Sequence, residues 1–131
     1  MKYFTIKELC RSTTAQAKKI ENKPDAMQEI ALISLVENLL DPLRSQYGKP
    51  IIVNSGFRCP ALNKAVGGAA TSQHTKGEAA DLDTGSKQGN KELFELIRKE
   101  FIFDQLIDEK DFCWVHVSYK TTGNRKQVLK L

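Results

Sequence analysis

Histidine is scarce: His74 and His116 are the only two in 131 residues, so imidazole chemistry in this chain has to use one or both. The cysteines, Cys10, Cys59 and Cys113, are odd in number and far apart, which argues against a disulfide framework and against a thiolate zinc site. No apolar run approaches the roughly 18 residues that a membrane span requires. There is no internal repeat and no low-complexity tract. A phosphate loop would end in Gly-Lys-Ser/Thr, and none is present; Gly67-Gly68 reads as a turn needing φ > 0. The first residues, MKYFTIKELC, carry charges inside the first apolar stretch, so no secretory signal is read there.

What is present is the balance of a soluble globular chain, 40% hydrophobic and 27% charged. The length suits one domain over residues 1–131, with a core over about 4–119 and a final strand or tail over 120–131. The net charge of +4 favours polyanions only weakly. Few aromatics are interleaved with the basic residues, so no nucleic-acid partner is expected; Lys18, Lys19, Lys23 and the lysines of 120–130 read as solvated faces.

Helical periodicity predicts a long buried helix from about Asp25 to about Tyr47, its stripe including Met27, Ile30, Ile33, Val36, Leu40 and Leu43, with Pro42 kinking or ending it. A second helix is predicted over Asn90–Lys99 and a short one over Ile6–Leu9, which Thr5 can cap. Strands are predicted at Ile51–Asn54, Ala79–Asp83, Phe103–Ile107 (alternation continuing to Glu109) and Cys113–Tyr119. Between the first two lies the polar, Gly-rich stretch Ser55–Glu78, long enough in a small domain to suggest function. The expected fold is α+β: a small antiparallel sheet with helices on one face and a cleft on the other, roofed by Ser55–Glu78.

Strand alternation places Phe112, Trp114, His116 and Ser118 on one face. It also turns Asp81 away from the core side of Ala80 and Leu82. His74, in the loop just before, can then converge with Asp81 and His116. Two imidazoles and a carboxylate are a common catalytic zinc set with one position open for water, although the same set serves non-haem iron. No cofactor motif supports the iron option.

Ser72-x-His74-x-x-Gly77-x-Ala79-x-Asp81 followed by Trp114-Val115-His116-Val117-Ser118 resembles the signature of the M15 zinc peptidases, which include D-Ala-D-Ala carboxypeptidases and cell-wall endopeptidases and share a fold with the Hedgehog signalling domain. Phe4-Thr5-Ile6-Lys7-Glu8-Leu9, Leu40-Asp41-Pro42-Leu43-Arg44, Val53-Asn54-Ser55-Gly56-Phe57-Arg58, Leu62–Gly68 and Phe103-Asp104-Gln105-Leu106-Ile107 are similar to the short phage-type branch. The resemblance covers about residues 4–119. It implies one Zn²⁺ held by His74, Asp81 and His116, and a peptidoglycan stem peptide as substrate. Arg58, Ser72 and Gln105 would lie near that peptide. A guanidinium beside the metal suits the developing oxyanion, while a loop arginine can also simply pair with a carboxylate and Ser72 can be a turn residue.

Peptide hydrolysis also needs a carboxylate to move a proton. Some relatives carry it three residues before the last histidine, where this chain has Cys113. The choice falls on Glu109, with Asp111 and then Asp108 behind it. The expected protein is a monomeric, endolysin-like carboxypeptidase or L-Ala-D-Glu endopeptidase, reaching the wall by lysis or another route; the alternative is a non-catalytic wall-binding module with a structural or lost zinc.

Overall fold

The computed structural model describes residues 1–131. Its elements are α1 (Ile6–Leu9), α2 (Thr13–Ala17), α3 (Ala26–Leu35), a π-helical segment (Val36–Leu40), α4 (Asp41–Tyr47), β1 (Ile52–Ser55), α5 (Pro60–Ala65), a 3₁₀ turn (Gln73–Lys76), β2 (Ala79–Asp83), α6 (Lys87–Glu100), β3 (Gln105–Glu109), β4 (Trp114–Ser118) and β5 (Gln127–Lys130). The architecture is α+β, as expected.

The long helix runs unbroken through α3, the π segment and α4. It starts at a capping box, in which Asp25 accepts from the Gln28 amide and the Gln28 side chain accepts from that of Asp25. Pro42 neither kinks it to a stop nor ends it. A proline ring clashes with the carbonyl four residues back in an α-helix. Here the preceding turn is widened, and the Asp41 amide donates to the Val36 carbonyl five residues back. The Asp41 carboxylate in turn accepts from the Tyr3 amide at 2.9 Å and anchors the N-terminus.

The helix buries Leu32, Leu35, Val36, Leu39, Leu40 and Leu43 completely. Met27 and Ile30, expected in that stripe, are instead 75% and 56% exposed. The first turn of α3 leans on the loop before β2 through Gln28, whose Nε2 donates to the Thr75 carbonyl at 3.1 Å. Met27 and Ile30 line a surface groove beside Thr75 rather than the core. Helix α6 begins earlier than its apolar pattern suggested, because Ser86 caps it by accepting from the Gly89 amide.

The sheet order is β1-β2-β4-β3-β5. The first three pairings are antiparallel, but β5 joins β3 in parallel, so the sheet is mixed rather than wholly antiparallel. The closing segment is therefore a strand. Predicted strand limits shift slightly: β3 starts at Gln105, since Phe103 is already in the core and Asp104 binds Arg125. Ala80, Leu82, Leu106, Val115 and Val117 of one sheet face pack with the helices into the core. Phe112 departs from the face assigned to it. It lies in the tight β3–β4 connection at φ 62 and stacks edge-on against Phe94 on the core side, ring centroids 5.5 Å apart.

Candidate metal centre and cleft

The opposite sheet face forms the floor of an open cleft of about 830 Å³. Cross-strand neighbours in register share a face. Asp81 of β2 stands opposite His116 of β4, His116 opposite Ile107 of β3, and Trp114 opposite Glu109. On the other side of Asp81, β1 carries a bulge: Val53 pairs with Leu82, yet Ser55 rather than Asn54 pairs with Asp81. The extra residue brings Ser55 beside Asp81, an example of a bulge re-aiming a side chain at a functional face.

The segment from Ser55 to Glu78 supplies a wall of the cleft, though it is less irregular than its composition suggested, since it includes α5 and the 3₁₀ turn. Of the glycine pair, only Gly67 has positive φ, 76°. Gly68 is needed for space: a Cβ there would lie 2.1 Å from Asn63 Oδ1 and 2.9 Å from Arg58 Nη1.

His74, Asp81 and His116 come together as expected, with one ligand atom from each lying within 4.8 Å of the others. Asp81 Oδ1 is 2.9 Å from His116 Nδ1 and 3.4 Å from His74 Nε2. His74 is buried, and its Nδ1 lies 2.7 Å from the Gly56 carbonyl. A carbonyl only accepts, so that nitrogen carries the proton. In neutral His74 the Nε2 lone pair then faces the Asp81 oxygen. Two lone pairs turned toward each other suit a cation held between them, and a backbone acceptor on the far nitrogen is the usual way to orient a ligating imidazole. Zinc with bonds of about 2.0–2.1 Å in a tetrahedron sets its ligand atoms roughly 3.3 Å apart, close to the two spacings from Asp81 Oδ1, 2.9 and 3.4 Å. The donor set fits a divalent ion.

Burial alone would raise the Asp81 pKa. The hydrogen bond with His116 is the main opposing cause, and the carboxyl is held well below the ordinary range, so Asp81 is an anion at neutral pH. Arg58 is half-buried beside it, Nη2 lying 3.6 Å from Asp81 Oδ2. Its fork is fixed by two further bonds, Nε to Ser55 Oγ at 3.0 Å and Nη1 to Asn63 Oδ1 at 3.2 Å. Desolvation lowers the Arg58 pKa, with the Asp81 charge opposing the shift. Arg58 thus pairs with a carboxylate and also lines the cleft next to the triad.

Ser72 and Gln105 also line the cleft. Ser72 Oγ accepts from the His74 amide at 3.2 Å and so caps the turn that carries the histidine. Gln105 Nε2 already donates to Gln127 Oε1 at 2.8 Å.

Of the three acids weighed as proton carrier, Glu109 faces the cleft, half-buried. Asp108 is turned to the core side and accepts from the Phe112 amide at 2.7 Å, holding the β3–β4 connection. Asp111 is exposed and paired with Lys87 at 2.6 Å. Cys113 is exposed and lies away from the cleft, beside Asp111 and Ser86.

Sequence reasoning missed several contributors. The Gly56 carbonyl that orients His74 is set by α1, because the Phe57 amide donates to the Leu9 carbonyl at 2.8 Å. A Cβ on Gly56 would sit 2.2 Å from that same Leu9 oxygen. No local pattern reveals such a contact. Lys120, Arg125 and Leu131, from the segment after β4, line the cleft as well.

The model of the family described as peptidase M15 matches residues 2–118. A zinc D-Ala-D-Ala carboxypeptidase of Streptomyces albus G is 51% identical over 49 residues, covering 37% of this chain and 19% of that protein. The matched stretch is thus about a fifth of the relative's length. Taken with the site, the match over nearly the whole chain assigns it: this protein belongs to the peptidase M15 family.

Proposed function

We propose that this protein is a zinc-dependent peptidase that hydrolyses a peptide bond in the stem peptide of bacterial peptidoglycan. The observation that carries the reading is the convergence of His74, Asp81 and His116 on one face of an open cleft, their donor atoms within 4.8 Å. Membership of a peptidase family and similarity to a zinc D-Ala-D-Ala carboxypeptidase support the substrate class.

These three residues would hold the ion. When bound, zinc supplies Lewis acidity and makes hydroxide available near neutral pH. The chain's own groups do the rest. Arg58, held by Ser55, Asn63 and Asp81, presents a guanidinium to the oxygen on which negative charge develops. Glu109 is the proton carrier, receiving a proton from the attacking water and returning it to the leaving amine. It stands diagonal to His116 across β3 and β4, and diagonal neighbours are roughly 7–8 Å apart, a spacing suited to a water and the scissile amide. Ser72 and Gln105 border the peptide along the cleft.

The test is digestion of purified sacculi by the zinc-loaded protein, with and without a chelator, followed by mass measurement of released fragments. Fragments that depend on the metal are expected, and their masses distinguish terminal D-Ala release from internal cleavage. Undiminished digestion in chelator removes zinc from the mechanism; binding to sacculi without cleavage makes this a wall-binding module instead.

A further inference from the structure

The end of the cleft near Gln105 differs in charge from the end that carries Glu109. Four ionised side chains border it besides Arg125: Lys76, Glu78, Asp104 and Lys120. Its acids are engaged. Asp104 is completely buried and binds Arg125 through both oxygens, at 2.9 and 2.7 Å. Glu78 accepts from Gln73 Nε2 at 3.2 Å. The ammonium groups of Lys76 and Lys120 have no ion-pair or hydrogen-bond partner.

The two lysines are brought to the same end by the backbone. The Tyr119 amide donates to the Glu78 carbonyl at 2.8 Å, tying the chain just before Lys120 to the chain just after Lys76. Lys120 is half-buried, and its backbone is closed into a tight loop by Asn124, whose Oδ1 accepts from the Lys120 amide and whose Nδ2 donates to the Lys120 carbonyl, both at 2.8 Å. Asp104 is neutralised by Arg125, while Glu78 is hydrogen-bonded but keeps its charge; Lys76 and Lys120 together outnumber it, and two free cations on a fixed backbone are arranged for an anion. Lys120 lies just beyond residues 2–118 matched by the family, and Lys76 lies within them.

We propose that Lys76 and Lys120 form a carboxylate subsite that selects substrate peptides bearing a free carboxylate on the Gln105 side of the metal site. The subsite rests on the peptidase reading above. The carboxylate has two sources in a stem peptide, the C-terminus and the α-carboxylate of a γ-linked glutamate, and they share one chemistry.

The experiment compares three synthetic peptides with the zinc-loaded protein: L-Ala-γ-D-Glu-L-Lys-D-Ala-D-Ala, its C-terminal amide, and its D-isoglutamine form. Lys76→Gln and Lys120→Gln are each expected to raise KM for the first peptide about threefold, and together about tenfold, with kcat little changed, the size of a solvent-accessible ion pair. Lys120→Arg should restore KM. One of the two capped peptides should show a raised KM with the native protein and no further rise with the variants, which identifies the source. Equal KM for all three peptides, or lysine variants indistinguishable from native on the first, overturns the subsite and leaves the peptidase reading standing. Failure of the native protein to cleave any of the three overturns that reading, and the subsite falls with it.

Discussion

Asp81 and His116 stand directly opposite each other on β2 and β4, with Asp81 Oδ1 2.9 Å from His116 Nδ1. The sheet register, rather than loop placement, therefore sets two of the three donors of the metal centre. Asp81→Asn keeps the shape and removes the charge. The expected result is less than one zinc per chain by elemental analysis and at least about a 100-fold loss in kcat/KM. Full zinc occupancy in this variant would remove Asp81 from the ligand set.

Glu109 is separated from its rivals by where each acid points. Glu109→Gln should lower kcat by about 10²- to 10⁴-fold with zinc content intact. Asp111→Asn, which breaks only the exposed pair with Lys87, should leave activity unchanged. Asp108→Asn should act on stability, since its carboxylate holds the Phe112 amide. A kinetic loss at Asp111 comparable to that at Glu109 would reverse the assignment.

Arg58→Lys keeps a positive charge and loses the fork that Ser55 and Asn63 hold. The expected loss, about 10²-fold, falls on kcat rather than KM, because the guanidinium acts on charge that develops in the transition state. A pure KM effect would make Arg58 a substrate-binding group only.

Gly56→Ala tests whether α1 supports the centre. The new Cβ would meet the Leu9 carbonyl at 2.2 Å, so the loop must move and carry the His74 acceptor with it. A destabilisation of about 1–3 kcal/mol and a roughly tenfold weaker zinc affinity are expected, measured by urea unfolding and by competition with a chelating dye. Loss of stability at unchanged zinc affinity would uncouple α1 from the site.

Buried Asp104 and exposed Arg125 form a pair that links the closing segment to the sheet. The hydrogen bonds from Arg125 hold the Asp104 pKa down at about 2. A carboxylate depressed in the folded state contributes stability above its unfolded pKa of about 3.9 and loses it as pH falls toward the folded value. Arg125→Gln should therefore be less stable than native at pH 7, and the difference should shrink between about pH 4 and pH 2. A gap independent of pH would show that the pair acts by packing alone.

The pattern Ser72-x-His74-x-x-Gly77-x-Ala79-x-Asp81 and the alternation around His116 were enough to bring the three donors to one face, because strand period and a short loop leave little freedom over so few residues. The helices were legible from their apolar spacing for the same local reason. Met27 and Ile30 were misread because burial depends on what lies opposite, and Gln28 docking on the Thr75 loop is a contact 47 residues away in sequence. The parallel pairing of β5, the π turn that accommodates Pro42, the Gly56 carbonyl behind His74 and the lysine end of the cleft likewise depend on long-range neighbours. The sequence by itself determined the chemistry available, two imidazoles and one acid in a local frame. Alternation along β3 already preferred Glu109 to Asp111 and Asp108; only the tertiary structure decided that its side of the sheet lines the cleft, since one residue of strand register turns a side chain to the opposite side of the sheet.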